Sequence, residues 1–186
     1  MNPFVQLIDV LVGLYIMVVL LRFFLQYFRA DFYNPLSQFV VKATDPLVKP
    51  LRKLVPGFGG IDVSSLLLAY LILFAKFLLF FAIAGQLSFN IIFLVFFAML
   101  ELAQSVLKLF MYLIFVRVIL SWVSPGGYNP MITVIAQISE PVIAKFRKLL
   151  PPMSGFDFAP MLALIIIYFL QNSLAYYIQP LINRLA

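Results

Sequence analysis

Four long apolar runs organise the chain, at about residues 4–28, 62–84, 105–123 and 158–180. Each is close to the ~20 residues that carry an α-helix across the hydrocarbon of a bilayer. The stretch after the first run has another rhythm. Apolar residues at Leu36, Phe39, Val40, Ala43, Leu47, Val48, Leu51, Leu54 and Val55 recur at the i, i+3, i+4, i+7 spacing of one helix face, with Ser37, Gln38, Lys42, Lys49, Arg52 and Lys53 between them. The stretch after the third run repeats this with Met131, Val134, Ile135, Ile138, Val142, Ile143, Phe146, Leu149 and Leu150. The pattern predicts amphipathic helices on the membrane surface, apolar face in lipid and basic face at the headgroups.

Prolines punctuate both stretches. Asn34-Pro35 and Asn129-Pro130 read as an N-cap followed by proline at the first helical position. Thr44-Asp45-Pro46 and Ser139-Glu140-Pro141 read as the start of a second short helix, ended by Pro56 and Pro151. Gly60 and Gly155 then allow a turn, and Asp62 and Asp157 cap the next span.

These features occur twice because the chain is duplicated. NPLSQFVVKATDPLVKPLRKLVPGFGGID (34–62) aligns without a gap to NPMITVIAQISEPVIAKFRKLLPPMSGFD (129–157), an offset of 95 residues. Apolar composition alone does not reproduce Asn-Pro, Arg-Lys-Leu and Gly-x-Asp at fixed spacing. The expected fold is therefore an all-α integral membrane protein of two tandem two-span repeats, each with a cytoplasmic amphipathic two-helix connector. The units are repeat one at 1–84, an inter-repeat segment at 85–104 and repeat two at 105–186. Two spans per unit give the copies the same orientation, related by a pseudo-twofold axis along the membrane normal.

Arg29, Lys42, Lys49, Arg52 and Lys53 lie in the first connector, and Lys145, Arg147 and Lys148 in the second. They make up most of the 13 basic residues, so the positive-inside rule turns both connectors to the cytoplasm and leaves both termini on the far side, with Arg184 as a minor exception. Residues 88–123 fit this scheme least well. At 1.5 Å per residue they span ~54 Å as one helix. A long, tilted or broken helix running beyond the membrane is the reading adopted; a hairpin would add a fifth span and invert the repeats. The N-terminus lacks a basic region and a small-residue cleavage motif, and Asp9 interrupts its apolar run, so it reads as a retained membrane helix rather than a signal peptide.

Composition narrows the chemistry. Of 186 residues, 65% are hydrophobic and 11% charged, against about 25% charged in soluble domains. There is no Cys and no His, which leaves no thiol nucleophile, Cys/His zinc site, His-ligated haem or imidazole acid–base group. The net charge of +6 points to anionic headgroups before nucleic acid. The seven carboxylates are scattered, and Gly57-Phe58-Gly59-Gly60 lacks the Gly-Lys-Ser/Thr ending of a P-loop. No cofactor or metal is implied.

Charges within apolar runs are functional candidates because their burial is costly. Lys76 and Glu101 flank the turn at Gln86–Ser88 at similar depths, so an ion pair between them would pin the hairpin register or contribute to an ion or proton path; a third reading puts Glu101 and Lys108 outside the hydrocarbon, snorkelling at an interface. Gln171 replaces Lys76 in repeat two. Arg22 and Arg117 occupy matching positions near the connector ends of their helices, where each can reach lipid phosphate or pair with Asp62 or Asp157.

The doubled pattern Arg-(x)11-Asn-Pro, Asp/Glu-Pro, Arg-Lys-Leu-x-Pro and Gly-x-Asp resembles the YggT family of small membrane proteins, whose shorter single-copy relatives are the YlmG-like proteins of bacteria and chloroplasts. The similarity covers nearly the whole chain except about 85–104. It implies a multi-pass protein of a bacterial inner (cytoplasmic) membrane. It also implies a part in membrane-associated assembly, in nucleoid and division-related organisation, plastid cytochrome maturation, or tolerance of osmotic or ionic stress, and it brings no enzymatic activity.

The functional expectation is a non-enzymatic scaffold or accessory factor. Lys49, Arg52, Lys53, Lys145, Arg147 and Lys148 would bind anionic lipid or cytoplasmic or membrane protein partners, without direct nucleic-acid contact. The other class is a channel-like or transport-modulating protein centred on Lys76 and Glu101, for which four spans would favour a homo-oligomer.

Overall fold

The computed structural model describes residues 3–85, 90–123, 129–153 and 157–185, with side chains described as far as residue 176. Among the described residues there are six helices: α1 Pro3–Tyr27, α2 Pro35–Leu54, α3 Val63–Ile83, α4 Ile91–Val123, α5 Pro130–Arg147 and α6 Ala159–Leu185. α1, α3, α4 and α6 are long and apolar enough to cross a membrane, and the chain is an all-helical membrane protein. α4 is a single unbroken helix of 33 residues, so residues 91–123 form one long span and no hairpin.

Each connector is one helix where the prolines had suggested two. α2 runs continuously through Pro46 and Pro50, and α5 through Pro141. A proline inside a helix withholds the N–H that would bond the carbonyl four residues earlier. For Pro46 that carbonyl is Lys42's, and donors from α1 reach the carbonyls on either side of it. The Arg22 guanidinium donates to the Val41 carbonyl at 3.3 Å and the Tyr15 hydroxyl to that of Ala43 at 3.4 Å. Thr44 Oγ1 also donates to the Val40 carbonyl at 2.7 Å, and in α5 Ser139 Oγ donates to Ile135 at 2.8 Å. Bonds from α1 thus hold the helix on both sides of the carbonyl that Pro46 leaves without its usual donor.

The remaining local signals form the expected structures. Asn34 and Asn129 cap α2 and α5, accepting from the backbone N–H groups of Leu36 and Met131, with proline at the first helical position. Asp62 accepts from the Ser65 N–H at the start of α3. The turn before it places Gly59 and Gly60 at φ 61° and 84°, a region L side chains rarely adopt. Gly155 and the Gln86–Ser88 turn lie outside the described residues.

α2 and α5 lie side by side across one end of the bundle, which is referred to below as the connector end. Asn34 Nδ2 donates to the Pro130 carbonyl at 2.5 Å, and the Asp31 N–H to Gln137 Oε1 at 3.0 Å. One face of each helix, with Val40 and Val48 on α2 and Val134, Ile138 and Ile143 on α5, is fully buried against the spans. The sequence reading had placed the apolar face in lipid. The structure divides it: these residues enter the core, while Phe39, Leu47, Leu54, Met131 and Leu149 remain exposed.

Candidate functional site

Two ion networks built from equivalent residues fasten the connectors to the spans. In repeat one, Arg22 rises from α1 and places Nη1 2.8 Å from both Thr44 Oγ1 and Asp45 Oδ1, with Nε 3.4 Å from Asp62 Oδ2. Asp62 Oδ2 also accepts from Arg52 Nη2 at 2.6 Å and from Ser65 Oγ at 2.7 Å. Lys49 pairs with Asp45 at 2.7 Å one helical turn away. Repeat two reuses the scheme: Arg117 donates to Ser139 Oγ at 3.1 Å and Glu140 at 2.5 Å, while Arg147 bridges Glu140 and Asp157, the latter at 2.7 Å. Among the described residues Arg117 makes no ion pair with Asp157, which pairs with Arg147, although the Arg117 charge still helps to lower the Asp157 carboxyl.

The networks differ in burial, and that difference sets their energetics. The side chains of Arg22 and Asp62 are 6% and 0% exposed, while those of Glu140 and Asp157 are 40% and 32% exposed. Burial alone would raise the Asp62 carboxyl, but hydrogen bonds from Ser65 and Arg52 outweigh it and hold the group below the ordinary carboxylate range. Glu140 and Asp157 are lowered in the same way, burial opposed by their arginines, and Asp45 is lowered chiefly by its bond to Lys49.

Thr44-Asp45 and Ser139-Glu140 are therefore anchors for the repeat-matched arginines, a role the sequence reading missed by treating them as helix starts. The available signal was the shared spacing from Arg22 and Arg117.

A third cluster lies towards the opposite end of the bundle. Lys76 on α3 donates to Asp9 on α1 at 2.8 Å and to Glu101 on α4, joining three spans. Fourteen residues beyond Asp62, Lys76 sits ~21 Å from the connector end at 1.5 Å per residue. Its ammonium also faces the Phe77 and Phe80 rings at 5.3 and 5.7 Å. Asp9 was visible in the sequence as a charge in an apolar run, but nothing linked it to a lysine 67 positions away.

The basic connector residues fall into two groups. Arg52 and Arg147 turn towards Asp62 and Asp157 as parts of the networks. Lys49, Lys53, Lys145 and Lys148 are exposed, as are Arg29 and Lys42. Lys42, Asp45, Pro46 and Lys49 line a shallow surface crevice of about 410 Å³.

The sequence comparisons fit this doubled plan, since a model of the CCB3/YggT family matches the chain in two segments, residues 1–83 and 89–178. The chain belongs to the CCB3/YggT family. It is 38% identical to the uncharacterized protein YggT of Escherichia coli K12 over 185 residues, all of this chain and 96% of that one. An uncharacterized Pseudomonas aeruginosa protein is 46% identical over 86% of this chain and 81% of its own length. A Vibrio alginolyticus protein is 43% identical over 89% of both chains. No solved structure matches it. In this YggT-family chain the second match takes in residues 89–104, which the sequence reading had left between the repeats.

Proposed function

We propose that this YggT-family protein is a non-enzymatic scaffold of a bacterial inner membrane, and that it holds its two connectors at the cytoplasmic headgroup layer as a paired basic platform for anionic lipid. The observation that carries this reading is the division of labour on α2 and α5. Arg52 and Arg147 are tied to Asp62 and Asp157, whereas Lys53, Lys145 and Lys148, with Lys49 beside its partner Asp45, are exposed near exposed apolar side chains such as Leu54 and Leu149. A helix presenting apolar residues and lysines together partitions to the interface. Each lysine close to an anionic leaflet contributes ~1 kcal/mol of attraction. The excess of basic residues in both connectors puts them on the cytoplasmic side, where such lipid is found. Assembly partners would then meet a membrane patch of defined composition.

The test replaces Lys49, Lys53, Lys145 and Lys148 with Glu in the full chain and counts the phosphatidylglycerol molecules retained in native mass spectra from mixed-lipid micelles. Wild type is expected to retain the anionic lipid over phosphatidylcholine by more than ~10-fold, and the variant to lose that preference. Equal retention by both proteins would overturn the proposal.

A further inference from the structure

We propose that the chain is half of a closed ring, in which α1 of a second copy packs into the groove between α4 and α6. This inference is independent of the lipid-binding reading and starts from a failure of symmetry. If a twofold axis related the repeats, every contact between them would have a reciprocal. α3 packs along α4, but its counterparts α6 and α1 share no contact among the described residues. α1 touches α5, but α4 and α2 share no contact among the described residues. The buried Asn34 amide donates to the Pro130 carbonyl, whereas Asn129 is exposed and makes no bond to Pro35 among the described residues. The contact between repeats is therefore heterologous, and a heterologous contact leaves one unmatched surface at each end of the pair.

Those surfaces can be located by comparing equivalent positions. The groove between α4 and α6 has a volume of about 470 Å³ and is lined by Met111, Tyr112, Phe115, Leu164, Ile165 and Tyr168. In repeat one the residues matching Phe115 and Tyr168 are Leu20 and Leu73, at 0% and 1% exposure, because α4 closes that side. Phe115 and Tyr168 themselves are 54% and 62% exposed. The complementary surface lies on α1. Leu102 and Leu109, the α4 residues that enter the core, are 8% and 5% exposed, while their α1 equivalents Leu7 and Leu14 are 55% and 61% exposed. The vacant groove and the uncovered helix are thus the two halves of a contact already formed once inside the chain.

Polar residues set the register. The trio Glu101, Lys76 and Asp9 corresponds position by position to Gln6, Gln171 and Gln104. Gln171 Nε2 is buried without a hydrogen-bond partner among the described residues, and Gln6 is exposed on α1. An amide unpartnered in hydrocarbon is unfavourable, and amides commonly join helices across a membrane interface. Docking α1 of a second copy on α6 brings its Gln6 to Gln171 as Glu101 is brought to Lys76. All four helices keep their orientation, since α1 runs in the same direction as α4. Two chains joined at both seams form a ring of four repeats.

The absence of cysteine from the sequence makes the test direct. Gln6→Cys and Gln171→Cys are placed in separately tagged full-length chains and co-expressed. Native membranes are then treated with a membrane-permeant bis-methanethiosulfonate reagent, with complete modification of both thiols verified by mass. Cross-linked dimer carrying both tags is expected at least ten-fold above either variant alone, and ten-fold above Gln6→Cys paired with Leu79→Cys, an exposed position on α3 at similar depth. With both thiols modified, absence of that product would leave the groove to lipid and overturn the proposal. So would a dimer of comparable yield from either single variant, which signals an isologous contact, or a link within one chain when both cysteines are placed in it.

Discussion

At the scale of single residues, the fold rests on charges whose value depends on what surrounds them. Removing one partner from a buried ion pair leaves the other uncompensated at a cost of about 3–5 kcal/mol, while exposed pairs contribute about 1 kcal/mol or less. Asp62→Asn keeps an oxygen at the Oδ1 position that caps α3 and replaces Oδ2, the charged acceptor of Arg52 and Ser65 that also faces Arg22, with an uncharged NH2. It is expected to lower unfolding free energy in detergent by about 3–5 kcal/mol. The equivalent Asp157→Asn, in the more exposed network, should cost about 1 kcal/mol. Equal effects would show that burial does not separate the two networks.

The pH dependence follows from the same groups. Asp62, Glu140 and Asp157 all sit below their ordinary values. Ionisation therefore contributes stability that is complete above the unfolded carboxylate range near ~4 and is lost as pH falls through the lowered folded values. Thermal midpoints should be flat above that range and fall below it, with a smaller fall in Asp62→Asn.

At the scale of helices, the sequence was a good guide to existence and a poorer one to continuity. Hydrophobic runs, asparagine caps and the Asp62 cap were legible because each is a local preference expressed locally. Pro46 was misleading because the helix around it is held by bonds from another helix, from Tyr15 to the Ala43 carbonyl and from Arg22 to that of Val41. The Lys76 cluster shows the same boundary. Its hairpin partner Glu101 could be reached by counting outward from a turn, whereas Asp9 required knowing that α1 packs against α3.

The cluster also makes a prediction at this scale. Lys76→Gln alone leaves Asp9 and Glu101 without their cationic partner in apolar surroundings, and the yield of folded protein in membranes is expected to fall at least ~10-fold, the equivalent of 1.4 kcal/mol or more. Adding Asp9→Asn and Glu101→Gln should restore most of the loss, because repeat two carries glutamine at all three equivalent positions. Failure of the triple variant to recover would show that the charges have a role beyond holding three helices together.

At the scale of the molecule, duplication was legible in the sequence but its geometry was not. Matching residues imply matching folds, yet Leu7 and Leu102 are the same residue type at equivalent positions with opposite exposure, and only the packing of repeats distinguishes them. What both repeats preserve is the connector end, where spans of one direction deliver arginines to carboxylates and leave lysines outside.

The central claim is that this end selects anionic lipid, and the single tryptophan offers a reporter. Trp122 lies in the last turn of α4, exposed, at the connector end ahead of α5. In bilayers with equal total fractions of phosphatidylglycerol and phosphatidylcholine, its fluorescence should be quenched more strongly when the bromine is carried on the anionic lipid. The excess should shrink as salt screens surface charge over the ~10 Å Debye length at 0.1 M, and vanish in Lys145→Glu/Lys148→Glu. Equal quenching by the two brominated lipids at low salt would contradict the account.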